Sequence, residues 1–470
     1  MNNVDVCVIG AGLAGLSAAL RAAEDGLAVV VLERGAEQEY MCNTRITGGA
    51  FHVCLSDIQL PAGELDGRIQ AATEGAAHPG LSRAVAEDAR RAVKWLQSHG
   101  IRFIKGGSEP HHNFVLSPPS LQRVGADWRG RGGDVLLRTL GKRFEQAGGS
   151  IRRHHRALEL IVEDGACAGV AGESSEGEFV VRARNVVIAD GGFQCNHELI
   201  RESITPDPDK VLQRNARSGW GDGLKMARRA GARLSELVGF YGHVLSRDAL
   251  HNDKLWPLPW LDNIATAALV VDAGGRRFAD EGRGGVYIAN QIAALADPLS
   301  AVVIFDQPLW ENQGTSRFYP PNPHMEKLGG TIHRADTVAA LAQKLGIDAG
   351  ALEDTVATYN QAVERSDFSS LRPARRTSTH KPEPIKTGPF YGVPVCAGLT
   401  YTMGGVAIDE WSRALKGDGS VFPGLYAVGG ASGGLEGGQS IGYVGGLSKA
   451  ATTGLRAGEH ISSESCKRAA

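Results

Sequence analysis

The sequence has 470 residues, 42% of them hydrophobic and 22% charged, with a formal net charge of −2 and 62 glycines. This composition excludes a disordered chain, and the balanced charge leaves no basic surplus for nucleic acid or an anionic membrane. No apolar run reaches the ~18 residues of a membrane helix, and residues 1–5 lack the basic and apolar regions of a signal peptide, so a cytoplasmic protein is expected.

In chain order, residues 4–9 form a short apolar run of the kind that makes a buried parallel strand. Gly10-Ala11-Gly12-Leu13-Ala14-Gly15 follows, then an alanine-rich helix over 16–24 and a second apolar strand over 28–32 that ends in Glu33. This is a βαβ unit with GxGxxG in its required context. Gly10 makes the tight turn, Gly12 lets the backbone approach a pyrophosphate, and Gly15 permits close helix–strand packing. The helix N-terminus offers N–H groups to phosphates. Glu33 lies 21 positions after Gly12, the spacing at which a carboxylate accepts from a ribose hydroxyl.

Beyond Glu33-Arg34 a polar loop, Asn43-Thr44-Arg45-Ile46-Thr47, leads into Gly48-Gly49. A second glycine-rich strand end stands at Ile188-Ala189-Asp190-Gly191-Gly192. No second GxGxxG with its own acid follows, which disfavours an NADPH-binding domain. The cysteines, Cys7, Cys42, Cys54, Cys167, Cys195, Cys396 and Cys466, form no CxxC pair. They read as reduced thiols and not as a zinc or iron–sulfur centre. His111-His112 and His154-His155 are adjacent pairs whose members would point to opposite faces of a strand, so no metal site is expected.

Four later segments carry a family resemblance. Gly219-Trp220-Gly221-Asp222-Gly223 is similar to a GDG helix start, and Gly275-Arg276-Arg277-Phe278-Ala279-Asp280-Glu281 to a GxRFxxE strand-turn. Thr402-Met403-Gly404-Gly405 is similar to TMGG, and the run Phe422-Pro423-Gly424-Leu425-Tyr426-Ala427-Val428-Gly429-Gly430 to PGLYAxGE. On these motifs the chain is identified as a member of the fumarate reductase/succinate dehydrogenase flavoprotein family. It resembles tricarballylate dehydrogenase-like and 3-ketosteroid dehydrogenase-like members more than the respiratory subunits.

The resemblance implies an α/β fold. A Rossmann-like FAD-binding domain would be formed discontinuously by residues 1–240 and 404–470, with an inserted α+β capping domain over 241–403. The cap would include a helical stretch over 338–363 and a return linker over 381–394, and a final helix would run from about 446 to 460 with its N-terminus toward the flavin. The implied FAD contacts are Gly10, Ala11, Gly12, Ala14, Gly15, Glu33, Arg34, Asn43, Thr44, Thr47, Gly48, Gly49, Asp190, Gly191, Asp222, Gly429, Ser440 and Ile441. Respiratory members carry a flavin-linked histidine six residues before the Gly-Gly; Cys42 stands there, and non-covalent FAD is expected.

The same family moves hydride between a substrate carbon and flavin N5 while a side chain handles the proton. His243 matches the first of its two substrate histidines, and Tyr401 stands where the second precedes TMGG. The proton-donor arginine would fall four positions after Glu281, at Gly285, with Arg283 two residues earlier. Ser440 replaces the substrate-clamping arginine. A dicarboxylate without bidentate arginines would be costly to desolvate, which argues against fumarate and succinate. Tyr401, Tyr443 and Tyr287 offer phenolic donors, and Tyr443 near Gly445-Gly446 resembles the ketone-binding arrangement of ketosteroid dehydrogenases.

The expectation is an FAD-dependent dehydrogenase or ene-reductase acting on a CH–CH or C=C bond beside a ketone or carboxyl group. Its catalytic candidates are Tyr401, Arg283, His243 and Tyr443. Its partners would be a small-molecule substrate and an external electron acceptor, either dioxygen, a quinone or a protein. A flavin oxidase of alcohols or amines, or an FAD-binding protein without substrate redox, are the alternatives.

Overall fold

A computed structural model describes residues 2–120, 127–316 and 319–469. Its principal strands are β1 (Asn2–Ile9), β2 (Val29–Leu32), β3 (Ser150–Arg152), β4 (His155–Glu163), β5 (Ala166–Ser174) and β6 (Gly177–Ile188), then β7 (Phe240–Ser246), β8 (Leu269–Val271), β9 (Val302–Asp306), β10 (Phe390–Thr402), β11 (Arg413–Leu415) and β12 (Val421–Ala427). The helices that position the site are α1 (Leu13–Glu24), α2 (Ala62–Ala72), α3 (Gly132–Gln146), α4 (Asp222–Arg229), α5 (Asp262–Ala267), α6 (Val338–Leu345), α7 (Ala349–Arg365) and α8 (Gly446–Ala469).

The expected βαβ unit forms. β1 and β2 pair in parallel, Val6 opposite Val29 and Ile9 opposite Leu32, and every residue of β2 is buried. Each such apolar side chain contributes ~1.5–3 kcal/mol on leaving water. α1 starts at Leu13, earlier than expected, because Gly12 is already extended (φ −72°, ψ −179°) and serves as its N-cap. The sheet runs β11-β12-β6-β1-β2-β3, with β4 and β5 folded antiparallel beside β6. Its strands are parallel from β12 through β3. A second sheet runs β7-β10-β9-β8 with these neighbours antiparallel, and the short strand Leu212–Gln213 joins β10 in parallel. The architecture is α/β with several sheets, as expected.

Two apolar cores correspond to the two sheets. The first takes residues from β1, α1, β2, β6, β12 and α8. The second takes residues from β7, β8, β9, β10, α5, α6 and α7, together with Phe193, Leu199 and Leu224. α8 packs on α1 through glycines: a methyl at Gly454 would lie 2.3 Å from Ala14 O, and one at Gly458 2.8 Å from Ala18 O. The expected helical stretch over 338–363 is instead two helices. Gly346 adopts φ +70° after α6, and Asp348 caps α7 by accepting from Ala351 N at 2.8 Å. The expected linker over 381–394 becomes strand from Phe390, where β10 pairs with β9. The final helix continues to Ala469, since no proline or glycine interrupts it after Gly458. Among the described residues no helix is long and apolar enough to cross a membrane.

Candidate active site

The trench around the first βαβ unit is built from close backbone contacts. Gly10 has φ +101°, and a methyl there would stand 2.6 Å from Ala189 O; one at Gly15 would stand 2.0 Å from Gly10 O. Both positions require glycine. At Gly48 and Gly191, by contrast, an added methyl meets nothing within 4 Å, so these backbones border open space. Gly12 presents the start of α1 with no side-chain cap, and Leu13 N donates to Thr44 Oγ1 at 3.2 Å. Such a helix end favours an anion. Glu33, at the end of β2, accepts from Ala11 N at 3.0 Å and from Gly35 N at 2.7 Å; burial raises its carboxyl above the ordinary range.

The far wall carries Asp190, whose Oδ2 accepts from Gly223 N at 2.7 Å while Oδ1 is buried without a partner among the described residues. Burial pushes this carboxyl up to about 7. Asp222 opens α4 and is held by Arg156 at 2.8 and 3.1 Å and by Arg34 at 3.3 Å, with Arg34 also over the Trp220 ring. Gly429 N donates to Thr453 Oγ1 at 2.9 Å, and a methyl at Gly429 would strike Ala14 Cβ at 2.7 Å. Asn43 ties the polar loop to β10, donating to Thr400 O at 3.0 Å and accepting from Ala216 N at 2.9 Å. Thr47 Oγ1 accepts from Gly49 N at 3.2 Å. Arg45 holds the same loop through its buried ion pair with Asp134 of α3 and its 2.7 Å bond to Tyr40 O. An acid at the strand end, an uncapped helix start, glycines on open space and an unpartnered buried acceptor together fit a dinucleotide.

Ser440 and Ile441 have a different setting. Ser440 Oγ lies 2.9 Å from Arg283 Nη1 and 2.8 Å from Glu74 Oε1, and Ile441 (φ +52°) packs beside Gly239. Arg283 also bonds Asp280 Oδ2 at 3.2 Å and covers the Tyr287 ring. Arg376 joins the cluster through Glu74. Arg283 contacts this clasp between the segment after α2 and the loop after β8, and among the described residues it makes no hydrogen bond to Tyr401 or Tyr443.

Tyr401 and Tyr443 do come together, and Tyr241 joins them. Tyr241 and Tyr443 stack at 3.8 Å, and Tyr401 stands 5.8 Å from Tyr241 and 6.1 Å from Tyr443 between ring centroids. The register of β7 and β10 sets Tyr241 opposite Tyr401, while Tyr443 arrives from the glycine-rich loop before α8. Their hydrogen bonds differ. Tyr401 OH donates to Glu436 Oε1 at 2.6 Å. Tyr443 OH accepts from Gly446 N, the first residue of α8, at 3.1 Å. Tyr241 OH lies 3.2 Å from His243 Nε2, and His243 Nδ1 lies 2.5 Å from Asp262 Oδ2 at the start of α5. The His243 ring stacks on Trp260 at 3.9 Å. Two of the three phenols thus face a base, and Tyr443 keeps its proton for another acceptor. Burial raises all three phenols, Tyr401 and Tyr443 most, with the Glu436 charge adding to the effect on Tyr401.

Three charged residues absent from the sequence reading complete the cluster. Glu436 also accepts from Val444 N at 3.2 Å and pairs with Lys449 of α8 at 3.1 Å. Lys449 donates as well to Ser432 O at 3.0 Å. Arg214 donates to Thr400 Oγ1 at 2.8 Å and Pro257 O at 3.2 Å, with its guanidinium 5.1 Å above the Trp260 ring. No ion pair to Arg214 is formed among the described residues. Burial lowers its proton affinity, and Tyr241, Asp262 and Tyr443 partly offset this.

Comparison with known proteins identifies the family. The chain is 26% identical over 490 aligned residues to the fumarate reductase (cytochrome) of Shewanella frigidimarina, covering 99% of this chain and 78% of that one. It is 28% identical over 375 residues to the 3-oxosteroid 1-dehydrogenase of Mycobacterium tuberculosis, covering 72% and 64%. The solved 3-ketosteroid Δ1-dehydrogenase from Sterolibacterium denitrificans superposes with a TM-score of 0.73 at 20% identity, over 99% of this chain and 100% of that one. These homologues are flavoenzymes that act on CH–CH bonds. The family described as FAD binding domain matches residues 5–442, and the chain belongs to it.

Proposed function

We propose that the chain is an FAD-dependent oxidoreductase of a CH–CH or C=C bond adjacent to a ketone or a single carboxylate. When bound, FAD supplies hydride exchange at N5. Residues 1–240 and 404–470 would hold it, with Gly12, Thr44 and the start of α1 at the pyrophosphate, Glu33 at a ribose, and Gly48 and Gly191 bordering the rest. Residues 241–403 would cover the substrate. Attachment is non-covalent in this reading: burial pushes the Cys42 thiol up to about 11, which disfavours the thiolate that a cysteinyl link requires. Acid precipitation should leave the yellow colour in the supernatant.

The observation that carries the reading is the division of labour among the phenols. Tyr443, accepting from Gly446 N, retains an O–H to polarise a substrate carbonyl or carboxylate. Tyr401, its proton already directed to Glu436, presents a lone pair to the acidic carbon–hydrogen bond beside that group. Arg214 supplies an unpaired cation where a carboxylate would anchor. His243 and Asp262 orient Tyr241 behind Tyr443. Electrons would leave or enter through an external carrier, either dioxygen, a quinone or a protein.

The test is anaerobic mixing of the flavin-loaded protein with cyclic ketones and short carboxylates, saturated and α,β-unsaturated. Loss or recovery of the flavin's visible absorption with these compounds is expected, and Tyr401→Phe and Tyr443→Phe should each lower turnover by ~10²-fold. Reaction with alcohols or amines instead, or unchanged turnover in both variants, would overturn the proposal.

A further inference from the structure

The Glu436–Lys449 pair is unusual for its place. Its side chains are 0% and 3% exposed, and Lys449 sits in the first turn of α8, where the helix dipole opposes a cation. A buried ion pair is rarely the most stable filling of such a space, since an apolar pair of similar size avoids the desolvation cost. Here the carboxylate is fully engaged. One oxygen takes the Tyr401 phenol and Val444 N, and the other takes Lys449. The one neutral donor in that set that can surrender a proton to the carboxylate is Tyr401.

We infer that Glu436, paired with and oriented by Lys449, is a positioning residue that acts through Tyr401: it receives the phenolic proton when Tyr401 takes one from the substrate. The inference rests on the function proposed above. In the desaturating direction the substrate C–H bond beside the carbonyl or carboxyl group breaks and a new O–H bond forms on Tyr401. The original Tyr401 O–H bond breaks as Glu436 Oε1 gains its proton. The C–H electron pair becomes the new C=C bond while the hydride on the neighbouring carbon leaves to FAD, the oxidant. The cluster gains one positive charge, because the ion pair becomes a neutral acid beside an ammonium, and this balances the negative charge that the hydride carries to FAD. Reduction runs the same transfers backwards.

Four titratable groups face Glu436: Tyr401 from β10, Tyr443 from its own loop, Lys449 from α8, and Cys54 from the segment after Gly49. Burial raises the phenols and the thiol, with Cys54 pushed up to about 12, so none of these three ionises near neutral pH.

The decisive experiments use the flavin-loaded protein. Glu436→Gln should lower kcat by ~10²-fold with KM little changed, and Tyr401→Phe with Glu436→Gln should cost no more than either alone. Lys449→Met removes the cation beside Glu436, so the acid limb of the desaturation pH profile should move up by at least ~1 pH unit, with activity recovering at high pH. A merely structural pair would lower activity without moving the limb. In substrate-free protein labelled with ¹³Cζ-tyrosine and assigned by Tyr401→Phe, Glu436→Gln should bring Tyr401 ionisation to lower pH, because an anion beside the phenol is gone. Wild-type kcat in Glu436→Gln, an unmoved acid limb in Lys449→Met, or an unmoved Tyr401 resonance would each overturn the inference. If Glu436→Gln fails to fold, Lys449→Met and Glu436→Asp carry the same pH test. The resonance arm needs no substrate. A wild-type protein inert toward every ketone and carboxylate would thus sink the functional proposal while the relay was still decided.

Discussion

In the proposed function Arg214 would separate a carboxylate substrate from a ketone, and its replacement gives the sharpest measure of the proposed site. Its Nε and Nη1 are met by two neutral acceptors, Pro257 O at 3.2 Å and Thr400 Oγ1 at 2.8 Å. The acid that acts on it, Asp262, is committed to His243 at 2.5 Å and to Val244 N at 2.8 Å. The guanidinium charge is therefore available to a ligand. A hydrogen bond to a charged partner contributes ~1.5–3 kcal/mol, which corresponds to about 10- to 150-fold in affinity. Arg214→Met keeps an apolar stem over Trp260 and removes that charge. We expect KM for an α,β-unsaturated carboxylate to rise by that factor while KM for the matching methyl ketone changes little. Arg214→Lys, with charge but no fork, should fall between. The assay is steady-state kinetics on the matched pair. An equal loss for both compounds, or no loss for the carboxylate, would refute the anchoring role.

Two further predictions concern the scaffold. A methyl at Gly454 would lie 2.3 Å from Ala14 O, so Gly454→Ala should cost ~1–3 kcal/mol as α8 shifts off α1, seen as a lower melting temperature and weaker flavin retention; an unchanged melting temperature would contradict the packing account. Asp190, at about 7 in the fold against an ordinary 3.8, binds its proton more tightly folded than unfolded. Its contribution to stability is full below about pH 4 and is lost as pH rises toward 7, so Asp190→Asn should flatten that slope in denaturant titrations.

The backbone geometry of the first βαβ unit was legible in the sequence because its signals are local. Gly10, Gly12, Gly15 and Glu33 lie within one βαβ unit, and their spacing alone fixes where each meets the others. The meeting of Tyr401 and Tyr443 follows their motif positions, although nothing in the sequence said that Tyr241 would stack on Tyr443 and meet His243 edge-on. That contact depends on the register of β7 against β10, with Tyr241 opposite Tyr401. Glu436 was hidden by its setting, since a carboxylate among Gly433, Gly434, Gly437 and Gly438 reads as a solvated loop residue. Lys449 did leave a trace: a lysine in the first turn of a helix opposes the dipole and calls for a buried anion nearby. Arg214 has no periodic or motif context, and only the fold brings it to Thr400. Arg283 stands two residues short of the position the family's donor arginine would take, and the fold sets it against Asp280, Glu74 and Ser440, contacts that no local spacing announces.

The seam between α1 and α8 bears on how the protein is made. Gly454 meets Ala14 across 440 positions of sequence, and β12 joins β6 only after the whole second sheet has been synthesised. The turn over residues 10–15 emerges from the ribosome early, but the helix that packs over it is among the last segments to appear. Until then the face of α1 that meets α8 stands uncovered, and contacts of such long range form slowly. A nascent chain of this kind gains from anything that shields that face during translation. In the proposed function, FAD would find its complete seat only on the nearly finished polypeptide.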